Sequence, residues 1–327
     1  MNERPASHIR VSVVIPVRNG EATIRRCLEA IYSQTLAAQM ECILLDSASE
    51  DNTVKIAMEF PVKVYPVSIS DFNHGLTRNF GVEHTSGEFV YFTVQDARLS
   101  STDALERMVT HFSDKEVMGV CGKQAVPFEK DKNPVQWHRP VSEPDVKRYH
   151  FPDPSVFIAL PAKRRLELSR WDNVNAMYRR SALQQLPFVQ TDFAEDLFWA
   201  KSALEKGWAL INDPGISTWH YHHRNFSYAF REIFIVHYSV YRAFKVLPDY
   251  PPVLARLKVI LAILWREPSL GLRAKGYWFF HSLNDLRASW LATMKFRRAA
   301  RNGDEKTIQN AYLRYCSSVP LGRVKGQ

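Results

Sequence analysis

Val11-Ser12-Val13-Val14-Ile15-Pro16 is a nearly unbroken β-branched run closed by Pro16 and the polar Arg18-Asn19-Gly20, a pattern that predicts a strand buried on both faces. From Glu21 to Thr35 the apolar positions Ile24, Cys27, Leu28, Ile31 and Tyr32 follow helical spacing, and Glu41–Asp46 then reads as a second buried strand ending in a carboxylate. Thr53–Phe60 predicts a helix, Val62–Tyr65 a third strand, Leu76–His84 a helix stopped by Gly87, and Phe89–Val94 a fourth strand. This alternation is that of an α/β layer with a parallel sheet, in which ligands bind where the strands deliver their C-terminal ends into one crevice. Leu105, Met108, Val109 and Phe112 mark another amphipathic helix and Val117–Val126 another strand.

Periodicity is then lost over residues 127–170, a stretch that collects Pro127, Pro134, Pro140, Pro144, Pro152, Pro154 and Pro161 and reads as a long insertion beside a site. Order returns with Trp171–Tyr178, a helix near Arg179–Leu186, a helix over Ala194–Lys206 capped by Gly207, and a strand over Trp208–Asn212. Beyond Arg224 the chain reads as helical and aromatic. The expected division is an α/β domain over 1–224 and a helical extension over 225–327.

Charge sharpens that division. Residues 1–224 carry 26 Lys and Arg against 28 Asp and Glu, whereas residues 225–327 carry 17 against 6, so the net charge of +9 resides in the extension. A basic unit of this kind suits anionic lipid, nucleic acid or an acidic partner. Four scattered cysteines without a CxxC pair point to neither a zinc ribbon nor a disulfide framework, and with no apolar leader after Met1 they lead us to expect a cytoplasmic protein. The longest apolar run of the extension, Val259–Trp265, lies between Lys258 and Arg266 and falls short of the about 20 residues a spanning helix needs.

Among the polar residues at strand ends, Asp96 is placed to hold a divalent cation against phosphates, the plain alternative being a solvated loop carboxylate. Asp46 is placed to bind a base or ribose, or else to close an Asx turn. Arg78, in the first turns of its helix, suits a diphosphate. The pair Glu195-Asp196 at a helix start offers a general base, although acidic residues are common at helix N-termini. Imidazoles gather in Asp213–His223, where His220 and His222 are expected to alternate on one strand face and complete a metal site.

The segments VSVVIPVRNGEATIRRCLEAI, ILLDSASEDNT, DFNHGLTRNFGVEHTSGEFVYFTVQDA, WDNVNAMYRRSALQQLPF and FAEDLFWAKSALEKGWALINDPGISTWH, taken in this order, resemble a family 2 glycosyltransferase of GT-A fold. FNHGLTRN and VQDA most resemble bacterial rhamnosyltransferases of surface polysaccharide synthesis, and the resemblance spans about residues 10–225.

It implies a GT-A, Rossmann-like, mostly parallel sheet flanked by helices with a C-terminal helical extension, residues 127–170 lying on the acceptor side. It further implies that Pro16, Arg18, Asn19, Asp46 and Gln95 border the nucleotide and that Arg78 meets the diphosphate. Asp96 takes the last position of the metal-binding DxD motif and His220 joins a Mg²⁺ or Mn²⁺ ion, with His222 the alternative. Asp196 corresponds to the catalytic base and Glu195 to an acceptor-positioning neighbour. The chain departs from the motif in one respect: Val94-Gln95-Asp96 lacks its first acid.

The implied activity is inverting transfer of a sugar, rhamnose among the candidates, from a nucleoside-diphosphate sugar to a saccharide or lipid-linked saccharide. Such an enzyme is expected in the cytoplasm, peripheral to the inner face of the plasma membrane. Trp278, Phe279, Phe280, Leu283, Leu286, Trp290, Leu291, Met294 and Phe296 among Lys275, Arg287, Lys295, Arg297, Arg298 and Arg301 read either as an interfacial helix or as a packing helix with a basic outer face. Two other classes share some of these features. A nucleotidyltransferase would release pyrophosphate, and a nucleic-acid-binding module would use the basic tail, although no helix-turn-helix, zinc-finger or RNP signature is present and no nucleic acid is expected.

Overall fold

The computed structural model describes residues 9–137 and 145–316. Pro140 and Pro144 of the proline-rich stretch, and the ends of the two expected domains at 1–8 and 317–327, lie outside the described residues. The described chain groups into two units, one running to Ala125 and then from 145 to His220, the other holding Val126–Trp137 and Tyr221–Cys316.

The first unit is built on strands β1 (Val11–Val17), β2 (Met40–Asp46), β3 (Val62–Pro66), β4 (Phe89–Phe92), β5 (Arg98–Leu99), β6 (Val117–Ala125), β7 (Lys147–Tyr149), β8 (Ala176–Arg179) and β9 (Ala209–Trp219). They form one sheet in the order β3-β2-β1-β4-β8-β6-β9-β5, with β7 also paired to β9. β1 is parallel to β2 and β4, β2 to β3, and β6 to β9, while β8 runs antiparallel between β4 and β6. The mostly parallel α/β architecture expected from the sequence is therefore present. β1–β4, β6 and β9 end on one edge, and the reversed β8 begins there.

Burial on both faces explains the unbroken apolar runs. Val11, Val13, Ile15 and Val17 face a core with Ile24, Leu28 and Ile31 of helix Ile24–Tyr32 and with Leu105 and Met108 of helix Ala104–His111. Val14, Ile43 and Leu45 face the other core, with Val82, Leu183, Trp199 and Leu204. Helix His74–Glu83 approaches this face so closely that a Cβ on Gly81 would lie 2.6 Å from Val14 Cγ1. At the opposite edge from the strand ends, buried Glu41 accepts hydrogen bonds from Ser12 Oγ at 2.7 Å, Ser86 N at 2.6 Å and Lys63 Nζ at 2.8 Å, locking the starts of β1 and β2 together.

Three expectations are corrected. β9 continues through Asp213-Pro214-Gly215 to Trp219 instead of ending at Asn212, and His220 and His222 lie beyond it, so they do not alternate on a strand. The proline-rich stretch is not without structure: it holds β7 and helices Pro134–Trp137, Pro154–Ala159 and Ala162–Leu168. The interfacial reading of the C-terminal aromatics fails for Trp278, Leu286 and Phe296, which are buried.

In the second unit, helix Leu272–Ala299 packs against helices Phe226–Phe244, Val253–Arg266 and Glu305–Cys316. Phe234 meets Phe296 edge-on, Tyr238 stacks on Tyr312, and Ala288 and Ala292 are fully buried. Leu272–Ala299 is thus a packing helix. Arg224 ties this unit internally through Glu232 at 2.5 Å and Asp285 at 3.2 Å.

Candidate active site

The corner after β1 and β2 is built from backbone donors that the strands leave over. Asn19 adopts a left-handed conformation (φ 47°), donates its N–H to Ser49 Oγ at 2.9 Å and accepts from Glu50 N at 2.8 Å. Both oxygens of Asp46 receive the Ser49 N–H, at 3.2 and 3.3 Å, so Asp46 closes the Asx-type turn that was the plain alternative to a ligand contact. Gln95 grips the Arg18 peptide from both sides: its Oε1 accepts from Arg18 N at 2.8 Å and its Nε2 donates to Arg18 O at 3.0 Å. The middle residue of Val94-Gln95-Asp96 therefore braces β1 to the turn after β4. Pro16 lies within β1, opposite Leu45, and Arg18 buries a side-chain Nε that has no partner among the described residues.

Asp96 sits in the turn after β4, and its Oδ1 lies 3.5 Å from Nε2 of His220 just past β9. His220 Nδ1 is 2.7 Å from Gln124 Oε1 on β6, and Gln124 Nε2 donates to Asp172 Oδ2. An amide oxygen only accepts, so Nδ1 carries a proton toward Gln124, and Nε2 is the ring nitrogen that faces Asp96. A carboxylate oxygen and an imidazole nitrogen 3.5 Å apart form a donor set suited to Mn²⁺ or Mg²⁺. Of the two candidate histidines, His220 shares this unit with Asp96, whereas His222 belongs to the other unit.

The acid pair opens helix Glu195–Glu205 directly after Ala194, whose left-handed φ of 64° turns the chain sharply into the helix. Glu195, 4% exposed, lies 2.9 Å from Nη1 of Arg78, itself 5% exposed, and accepts from Asn173 Nδ2 at 2.9 Å. Burial works to raise the Glu195 pKa, yet the Arg78 guanidinium, with His74 and the Asn173 amide, holds it below the ordinary carboxylate value. Asp196 Oδ2 accepts from Asn173 N at 3.1 Å and Oδ1 from Leu197 N at 2.7 Å. Burial, then the neighbouring charges of Glu195 and Asp172, push its pKa well above the usual range. Burial and neighbouring charge thus push the two adjacent acids in opposite directions, Glu195 down and Asp196 up, an environment-driven separation that makes Asp196 a candidate general base.

Arg78 is thus committed to Glu195 and to the His74 carbonyl at 3.0 Å, and its Nε is buried with no partner among the described residues. Glu195 is enclosed by Arg78 and Asn173. Asp172-Asn173-Val174-Asn175, the run that enters β8, joins the two halves of the site: Asp172 anchors Gln124 while Asn173 holds Glu195 and Asp196. Asn175 bridges Tyr91 Oη at 3.1 Å and the Ile216 carbonyl at 3.0 Å. Sequence reasoning missed Gln124, Asp172, Asn173 and Asn175. Their one signal was an acid and two amides pressed against the apolar start of a strand.

The model of the family described as Glycosyl transferase family 2 matches residues 12–186. An O-antigen chain rhamnosyltransferase of Salmonella typhimurium, RfbN, is 30% identical over 208 residues, 62% of this chain and 63% of its own. WbaN of Salmonella anatum, of the same description, is 30% identical over 217 residues, 64% of this chain and 66% of its own. The alignments thus span just under two thirds of these relatives. Among solved structures, a mannosyltransferase of Pyrobaculum calidifontis in complex with GDP-Man and Mn²⁺ matches with a TM-score of 0.54 and 18% identity, covering 94% of this chain and 85% of that one. Residues 1–349 of S. aureus TarS with UDP-GlcNAc match with a TM-score of 0.51 and 14% identity, covering 97% and 93%. These likenesses establish the GT-A fold.

Proposed function

The chain belongs to glycosyl transferase family 2, and on that premise we propose that it is an inverting enzyme moving a sugar from a nucleoside-diphosphate donor to a saccharide or lipid-linked saccharide in surface-polysaccharide synthesis. Rhamnose is the favoured sugar, from the names of the two Salmonella relatives. The observation that carries the reading is a hydrogen-bonded network along one sheet edge, which links His220, whose Nε2 lies 3.5 Å from Asp96, through Gln124 and the Asp172–Asn175 run, to Glu195 and Asp196.

In this reading Asp196 takes the proton of an acceptor hydroxyl, that oxygen bonds to the anomeric carbon from the face opposite the diphosphate, and the carbon–oxygen bond to the diphosphate breaks with inversion. Pro16, Arg18, Asn19, Asp46 and Gln95 border the nucleotide, and the partnerless Nε of Arg18 supports contact with its phosphates, whereas the Arg78 expected there is paired with Glu195 instead. Asp96 and His220 would hold a divalent cation, whose chemistry when bound is to offset charge growing on the departing diphosphate. Glu195, held in place by Arg78, positions Asp196, and the charges of Glu195 and Asp172 raise its proton affinity. Residues 127–170 are assigned to the acceptor side. The partners are the nucleotide sugar, the saccharide acceptor and an anionic membrane surface, the last placing the enzyme at the inner face of the plasma membrane.

Asp196→Asn is expected to lower turnover by about 10²–10⁴-fold while leaving donor binding, read by thermal shift with nucleotide sugars and Mn²⁺, largely intact. Near-normal turnover would remove Asp196 from its role. Pyrophosphate release from a nucleoside triphosphate and a sugar phosphate would favour a nucleotidyltransferase instead.

A further inference from the structure

We infer that the outer face of helix Val253–Arg266, continued by Leu272, is a docking surface for an anionic lipid bilayer. The helix reads VLARLKVILAILWR, apolar nearly all round, yet only Ile260 and Leu264 are buried, in a small core with Leu270 and Trp278 of the same unit. Leu254, Leu261 and Trp265 recur at i, i+7 and i+11 on one face, and all three face solvent, as does Val259 farther round the helix. Leu254 is 76% exposed, Trp265 84% and Leu272 87%, so large apolar side chains stand almost free where a soluble surface ordinarily scatters them singly.

Length excludes a span: fourteen residues rise about 21 Å against a hydrocarbon core of about 30 Å, and no described helix is long and apolar enough to cross a membrane. Charge selects the occupant. Between Val253 and Lys275 the chain carries Arg256, Lys258, Arg266, Arg273 and Lys275 against the single acid Glu267. A symmetric dimer through this face would set the patch carrying Lys258 and Arg266 against an identical basic patch, a like-charge juxtaposition that disfavours a second chain. A bilayer rich in anionic headgroups accepts both features at once, the Leu and Trp side chains entering the acyl boundary and the Lys and Arg heads remaining among phosphates. The inference gives the membrane part of the proposed function a definite surface, and it stands independently of the chemistry at Asp196.

The test is flotation of the full chain with vesicles of phosphatidylcholine alone or mixed with phosphatidylglycerol, alongside L261S/W265S and K258E/R266E. These side chains are exposed, so unchanged thermal melts confirm that the variants fold. The parent is expected to float with the mixed vesicles only, and each variant to lose at least about tenfold in bound fraction at low salt. The inference is overturned if the parent stays with the pellet on anionic vesicles, if both variants float as the parent does, or if light scattering finds a dimer that W265S dissolves while no flotation occurs. Because flotation requires no turnover, its failure is distinguishable from failure of the glycosyltransferase reading, which the Asp196→Asn assay reports.

Discussion

Replacing Gln124 by Leu removes the amide that joins the candidate cation site to the run holding the acid pair. Two buried groups lose their partner: the Nδ1–H of His220, now 2.7 Å from Gln124 Oε1, and an oxygen of Asp172. Each orphaned group costs about 1–3 kcal/mol, much of it expressed as lost stability. The share expressed in cation binding comes from His220, whose ring is then free to rotate and to carry its proton on Nε2. Outer partners of a ligating imidazole are worth about 10–100-fold in metal affinity, or about 1.4–2.7 kcal/mol. Titration with Mn²⁺ in the presence of a nucleoside diphosphate, followed by the electron paramagnetic resonance of the free ion, measures this loss without turnover. The companion variant reverses polarity: Gln124→Glu alone sets two carboxylates together, whereas Gln124→Glu with Asp172→Asn restores an acceptor for Nδ1–H and a donor toward it. The double variant is therefore expected to regain affinity that either single change loses, a coupling that independent sites do not show. Unchanged Mn²⁺ affinity in Gln124→Leu, or additive losses in the pair, would refute the relay.

Asp196 works as a base only when ionised, so its raised pKa places the acid limb of kcat/KM above the ordinary carboxylate range. Glu195→Gln, which removes a neighbouring negative charge, is expected to move that limb to lower pH; a limb that stays fixed contradicts the assignment. A carboxyl whose pKa rises on folding contributes stability that is present in full below its unfolded value and lost as pH rises through the folded one. The stability difference between Asp196→Asn and the parent should therefore move toward the variant over that window in denaturant melts. Glu41 carries the opposite sign: although burial opposes it, Lys63, Ser12 and Ser86 hold its pKa at about 2, against an ordinary 4.5. Its contribution, about 2 kcal/mol after allowing for the exposed Lys63, is present above pH 4.5 and lost as pH falls toward 2, so Glu41→Gln should lower stability at neutral pH and converge with the parent in acid.

The strands and helices of the first unit were legible because burial on both faces leaves an unbroken apolar run, as in Val11–Pro16, and because helix Ile24–Tyr32 repeats its buried positions at helical spacing. What periodicity does not encode is strand direction. β8 pairs antiparallel with β4 and β6, and this reversal brings Asp172–Asn175 to the edge where the parallel strands end. The bonds that tie that run to Glu195, Asp196, Gln124 and Tyr91 reach 22 to 84 residues along the chain, so no local window reveals them. The bracing role of Gln95 was hidden for the same reason, since its structural partner, the Arg18 peptide, lies 77 residues away.

The polar chain that crosses this edge also bears on why the missing first acid of the motif is tolerable. With Gln95 committed to the β1 backbone, Asp96 is the carboxylate contributed by this turn, and a single acid makes the orientation of the imidazole opposite it more consequential. His220 receives that orientation from Gln124 on β6 and Asp172 in the run that enters β8. A neutral amide between carboxylate and imidazole fixes the tautomer without adding negative charge beside Asp196, whose pKa Asp172 already raises. Replacing that amide by a second carboxylate would strengthen the histidine as a donor and at the same time push the base further toward its protonated form, so the amide serves both centres.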